Sequence, residues 1–328
     1  VYTNADGANS GLLALSPVAA EVTHSSSSTT TVTVQGKLQA AGALNVQANS
    51  NDSVNLKADA LTITGFGEGD ASVQSAISNT TTINVDNADI TSGGNINIIA
   101  NNDISLNKGE SKYNNTATST NLDDNNEYSE MLWGQGYGMG AVGNSDITNS
   151  VTSSAQVLLK NTEIESTGGS IAIAGYTNED LLVNGYVFSV GIVGNASVTN
   201  VNNTISNNEA VELDGSSITT KSPRNAITLS AADDLKLFTY ALTETPAGVA
   251  GGSDADLMNN ITRTNAISLK DAYNTNDTKK TLYSTQDINL YAGKKLDGTV
   301  AMFDLDAEAM NYNGDIIPVV LMPTVENI

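Results

Sequence analysis

Cysteine is absent from this chain, so neither disulfides nor thiolate-bound metals hold its fold. Proline occurs only 5 times, and 1 Trp and 4 Phe leave a core little aromatic bulk. Val, Ile and Leu must therefore supply most of the buried volume. Basic residues are scarce, 14 against 36 acidic, for a formal net charge of −22. That balance excludes an extended nucleic-acid surface, which needs Lys and Arg against phosphate. The single histidine, His24, sits beside a Ser/Thr tract far from any nucleophile pattern, and a surface role is expected for it. No run reaches the roughly 18 apolar residues of a membrane-spanning helix. Walker A, HExxH, GxSxG and dinucleotide fingerprints are all missing. Val1 opens without an initiator Met or a charged leader, and the chain begins inside a repeat-like phrase. A processed product or a segment of something longer is the expectation.

What is plentiful is glycine, at 28 residues, together with Asn, Ser and Thr. These polar residues frame short aliphatic runs. The stretch Gly93 to Leu106 sets the pattern, with apolar side chains at Ile96, Ile98 and Ala100, then at Ile104 and Leu106. Alternation at period two puts Ile96, Ile98 and Ala100 on one face of a strand. Gly93-Gly94 before it and Asn101-Asn102-Asp103 after it predict turns or corners.

The phrase returns at residues 43–48, 170–175, 226–231 and 287–292. Its first inward residues are Leu44, Ile96, Ile171, Ile227 and Ile288, spaced by about 52, 75, 56 and 61. Lead-in strands precede each copy at 32–34, 83–85, 157–159, 211–213 and 267–269, and Leu38, Ile90, Ile164 and Ile218 mark a second small strand. Recurrence in one order predicts an all-β, right-handed parallel β-helix, or β-solenoid, with these residues as its inward core markers. Coils of roughly 20–25 residues, about a dozen of them, would make a rod. Residues 1–35 read as the solenoid start or cap, 36–293 as the repetitive solenoid, and 294–328 as a capping or subunit-contacting segment.

The repeat lapses near 109–140, the predicted excursion. Here lie the lone Trp133 with Tyr128 and Tyr137, candidates either for partner contact or for aromatics packed back over the solenoid. Helical spacing is faint and confined to Leu296–Met310.

Chemistry is sparse. Paired acids at Asp233-Asp234, Asp254 with Asp256, and Asp123-Asp124 are the candidates for a glycosidase-like site. Neighbouring acids on an extended strand face opposite ways, so the first pair should not share a site, and no enzyme is expected. Asp304, Asp306 and Glu308 would share one side of a strand and are candidate calcium ligands; no other cofactor is implied.

The phrases Gly93–Ala100 and Gly168–Gly175, the Ile-x-Ser/Thr strands before them, and the Val-Gly-Asn-Ser/Ala phrases within 141–145 and 192–196 resemble large bacterial exoproteins of the filamentous haemagglutinin and leukotoxin-type filamentous adhesin group. The resemblance spans about residues 20–295. It implies a secreted, surface-associated solenoid that supports adhesion, with no catalytic residues. The Trp133 segment, the tail and the lack of a secretion domain depart from that pattern. The expectation is an elongated extracellular adhesin or filament segment that meets a host or neighbouring cell surface. Copies joined end to end through terminal strands are the alternative, and a polysaccharide-degrading β-helix enzyme is a second.

Overall fold

A computed structural model describes residues 2–11, 18–107, 132–245, 248–270, 282–315, 317–320 and 322–328. Its strands join in one 15-stranded sheet in which every strand-to-strand pairing is parallel. No helix occurs among the described residues, and 303–313, which overlaps the stretch of faint helical spacing, is a strand.

The chain climbs through six layers. Layer one holds β1 (Tyr2–Gly11) and β2 (Val18–Ala40), and layer two is β3 (Leu44–Ser92) alone. Layer three holds β4 (Ile96–Leu106), β5 (Leu132–Lys160) and β6 (Glu163–Ser166). Layer four holds β7 (Ile171–Asp214) and β8 (Ser217–Thr220). Layer five comprises β9 (Ile227–Thr245), β10 (Ala250–Lys270) and β11 (Leu282–Tyr283). Layer six comprises β12 (Ile288–Ala292), β13 (Phe303–Asn313), β14 (Ile317–Val320) and β15 (Thr324–Asn327).

Register ties the layers residue to residue: Leu44 pairs Ile96, Ile96 pairs Ile171, Ile171 pairs Ile227, and Ile227 pairs Ile288. The spacing between phrases is thus the length of one whole turn. Turns of 20–25 residues, and a dozen of them, are overturned. Six layers at about 4.8 Å stand only about 24 Å from first to last, while an outbound strand of about 20 residues runs roughly 65 Å. The described stack is a slab wider than it is tall.

Each turn is a flattened loop. The long strands fold back on themselves: the hydroxyls of Ser189 and Ser197 in β7 meet at 2.6 Å across the far turn. Between the outbound and return stretches lies one aliphatic column, containing Val54, Leu56, Val73, Ile77, Leu106, Ile147, Val201 and Leu237. At the other end a second column fills a three-sided space bounded by 44–48, 83–85 and 88–90, with their counterparts above. Its corners recur at one register position, where Asn87, Asn161 and Gly215 take φ of 50°, 47° and 60°. That left-handed conformation favours Asn and Gly. The Gly-Gly phrases serve a different need. A Cβ on Gly93, Gly168 or Gly169 would collide with backbone of the layer below, so close approach selects glycine there.

The 75-residue step has a simple cause. Residues 107–131 stand where layers two and four have only 55–57 and 182–184. Pairing with layer four is in register before residues 107–131, at Leu106, and after them, at Leu132. Asn101–Asp103 is no corner: β4 runs straight through it, and Asn102 points inward with 0% exposure. Strict alternation, carried past a polar residue, buries that residue. This is what creates the site below.

Candidate functional site

Between the two aliphatic columns, every described inner layer places polar side chains inward. Outbound strands supply Ser50, Asn102, Thr177 and Asp233, which pair in register up the stack, and Glu179 two residues past Thr177. Return strands supply Asn79, Ser153, Asn207 and Arg263 in one row, then Thr81, Glu209 and Asn265 in the next. These rows form a seam one or two residues wide, walled by dry core on both sides.

In the lower layers the seam is neutral. Asn102 accepts from the Thr81 hydroxyl and donates to the carbonyls of Asn79 and Ser154 at 3.3 and 2.8 Å. Higher up it becomes charged. Thr177 Oγ1 donates to Glu209 Oε1 at 2.7 Å, while Asn207 Nδ2 donates to Glu179 Oε2 at 2.9 Å and Asp233 Oδ2 at 3.2 Å. Asp233 also receives Arg263 Nε at 2.5 Å and Asn265 Nδ2 at 2.6 Å. The Arg263 guanidinium lies over the Phe303 ring, 5.0 Å from its centroid.

Three buried acids, Glu179, Glu209 and Asp233, at 1%, 0% and 0% exposure, thus face one half-buried cation, Arg263. Burial pushes the Glu179 carboxyl up to about 7, against hydrogen bonding from Asn207 and the proximity of the Ser153 hydroxyl. Burial pushes Glu209 up to about 9 against its bond from Thr177, and the negative charges of Asp233 and Glu179 add to the rise. No substrate reaches these groups unless the stack opens. The chemistry available is proton binding and charge pairing.

The residues singled out by sequence fall elsewhere. Asp233 and Asp234 do face opposite ways. Asp234 points outward beneath residues 294–302, where it accepts from Tyr176 Oη at 2.6 Å, from the Met302 amide at 2.6 Å and from Lys295. Burial raises its pKa, but bonds from Lys295, Tyr176 and Met302 outweigh that and hold it below the usual carboxylate range. Asp254 and Asp256 sit on the outer face of β10, and Asp123-Asp124 lies outside the described residues. Asp304, Asp306 and Glu308 alternate along one side of β13, yet among the described residues no three His, Cys, Asp or Glu side chains converge as a metal site. Tyr128 lies outside the described residues. Trp133 and Tyr137 lie on β5, in register with Asp59 and Ile63 below and Tyr186 and Val190 above. Leu44, Ile96, Ile171 and Ile227 are buried; Ile288, in the outermost described layer, is 43% exposed.

Sequence reasoning missed Glu179, Glu209, Asn207 and Arg263. The signal was present in phase: counting by twos from Ile171 reaches Glu179, and from Val201 reaches Asn207 and Glu209.

Among the described residues no helix is long and apolar enough to cross a membrane. No family model, curated protein or solved structure matches this chain.

Proposed function

We propose that this chain is a structural segment of an extracellular, cell-surface β-solenoid of the adhesin or filament kind, a stiff stack that presents inserted loops to a partner surface. The observation that supports this reading best is the 107–131 insertion. It interrupts one turn without disturbing register on either side, as a displayed segment must. Outer faces suit solvent: Asn97–Asn45, Asn144–Asp70 and Asn200–Asp146 ladders run between layers at 2.7–2.8 Å. Around the far turn, Phe66 of layer two, Ile192 and Val193 of layer four and Val249 of layer five leave apolar side chains 46–68% exposed, which adds surface that a partner could cover.

The test replaces 107–131 with the three residues found at 182–184. The shortened chain should keep its fold and lose binding to host or neighbouring cells. Full binding by the shortened, folded protein would refute loop display.

A second reading, copies stacked end to end, is favoured by the sixth layer. Ile288, Leu290, Phe303 and Val325 occupy inward rows but are 41–50% exposed, whereas Ile227, Leu229, Leu235 and Leu257 directly below are 0–2% exposed. A further layer, supplied by another copy, would cover them. Sedimentation at rising concentration tests it: a species that stays monomeric at the highest concentration excludes the assembly.

A further inference from the structure

The buried seam carries an imbalance of hydrogen-bonding groups that charge alone does not resolve. In its charged layers four and five, four carboxyl and amide oxygens have no partner: Glu179 Oε1, Glu209 Oε2, Asn207 Oδ1 and Asn265 Oδ1. All four are acceptors if both glutamates are ionised. The Ser153 hydroxyl lies near Glu179 but out of bonding geometry, is itself without a partner, and could serve only one of them. Leaving several buried acceptors unmet is costly.

Two protons would convert the pattern into a matched one. A neutral Glu179 has an O–H to offer Asn207 Oδ1, beside the bond in which Asn207 Nδ2 already donates to Glu179 Oε2. A neutral Glu209 has an O–H to offer Asn265 Oδ1, its direct register partner in the next layer. Asp233 keeps its charge against Arg263, so the seam becomes electrically balanced.

We propose that the seam is a proton-binding lock: Glu179 and Glu209 are held as carboxylic acids that donate to Asn207 and Asn265, and loss of those protons loosens layers four and five. The groups facing these acids are Asp233 from β9, Arg263 and Asn265 from β10, Asn207 and Thr177 from β7, and Ser153 from β5. Asp234 and Lys295 lie behind Asp233 on the outer face. The raised affinities of both glutamates for protons agree with the hydrogen-bond inventory. A solenoid so built holds firmest in acidic surroundings.

The experiment measures chemical unfolding of the whole chain between about pH 5 and pH 9, alongside Glu179→Gln/Glu209→Gln and an outer-face control, Asp86→Asn/Asp146→Asn. The unfolding constant of the natural sequence should rise at least about tenfold over that range. The Gln pair, which keeps a donor without a charge, should flatten the rise, and the control should not. Equal slopes for all three proteins would overturn the proposal. So would calcium or sodium at pH 8 stabilising the natural sequence but not the Gln pair, since the seam would then hold a cation. If the Gln pair does not fold, carboxyl carbon NMR of the natural sequence decides. Two carboxyls still protonated near pH 6.5 uphold the lock, and all carboxyls ionised there sink it.

Discussion

The aliphatic columns and the polar seam between them are cut from the same strands, by the same alternation, at the same depth. They differ in what a layer gains by stacking. In the columns, each new Ile or Leu over its counterpart removes apolar surface from water, about 1.5–3 kcal/mol per side chain. In the seam, the same geometry only replaces water with fixed partners, and the balance hangs on complete satisfaction of every donor and acceptor. One region sets stability and the other sets register and sensitivity to conditions.

That contrast can be broken most forcefully in the seam. Arg263→Met removes the half-buried partner charge of the buried Asp233 and should cost about 3–5 kcal/mol near neutral pH. Adding Asp233→Asn should restore most of it, as read by denaturant midpoints in a double-mutant cycle. In the columns, Ile98→Ala or Ile173→Ala should cost about 2–5 kcal/mol, and neither loss should respond to pH. If the loss caused by either column substitution changed between about pH 5 and pH 9 as the natural chain's own stability does, the division between regions would fail.

The pH response has a definite sign. The folded chain holds Glu179 and Glu209 at about 7 and about 9, above their ordinary carboxyl value. Stability from these groups is therefore fully present below their unfolded pKa, near 4.5, and is lost as pH rises through 7 and then 9. Glu209→Gln alone should raise stability above pH 8 by a few kcal/mol at most, on the order of the shift's linkage value. A smaller effect is expected along the inward amide ladder, where Asn149, Asn203, Asn259 and Asn327 bond at 3.3, 2.8 and 2.8 Å. Asn203→Ala should cost about 1–2 kcal/mol, visible as faster amide exchange in β7 and β10.

Much of the fold was legible because alternation and recurrence are local. Leu44, Ile96, Ile171 and Ile227 announce one column, and their uneven spacing already encoded turn lengths, including the inserted 107–131. Two things were not legible. Asn101-Asn102-Asp103 reads as a turn by composition, yet the strand continues, because parallel neighbours on both sides hold Asn102 extended. Nor could one residue's pattern show that Glu179, Glu209, Asp233 and Arg263 meet, since the first two lie on the outbound and return stretches of β7 and the others on β9 and β10, brought together only by fold-back and stacking. Ile288 shows the opposite limit. Its pattern is that of a buried rung, but burial needs a layer on each side, and none of the described residues lies above it.

The layered register itself is tested most directly by cysteine pairs, in a chain with no cysteine of its own. Asn97 and Ala172 are register partners across the inserted turn, within the reach of a disulfide. Asn97→Cys/Ala172→Cys should oxidise to an intramolecular bridge, while Asn97→Cys/Ala174→Cys, two residues out of step, should not. Bridging by the second pair and not the first would contradict the stack.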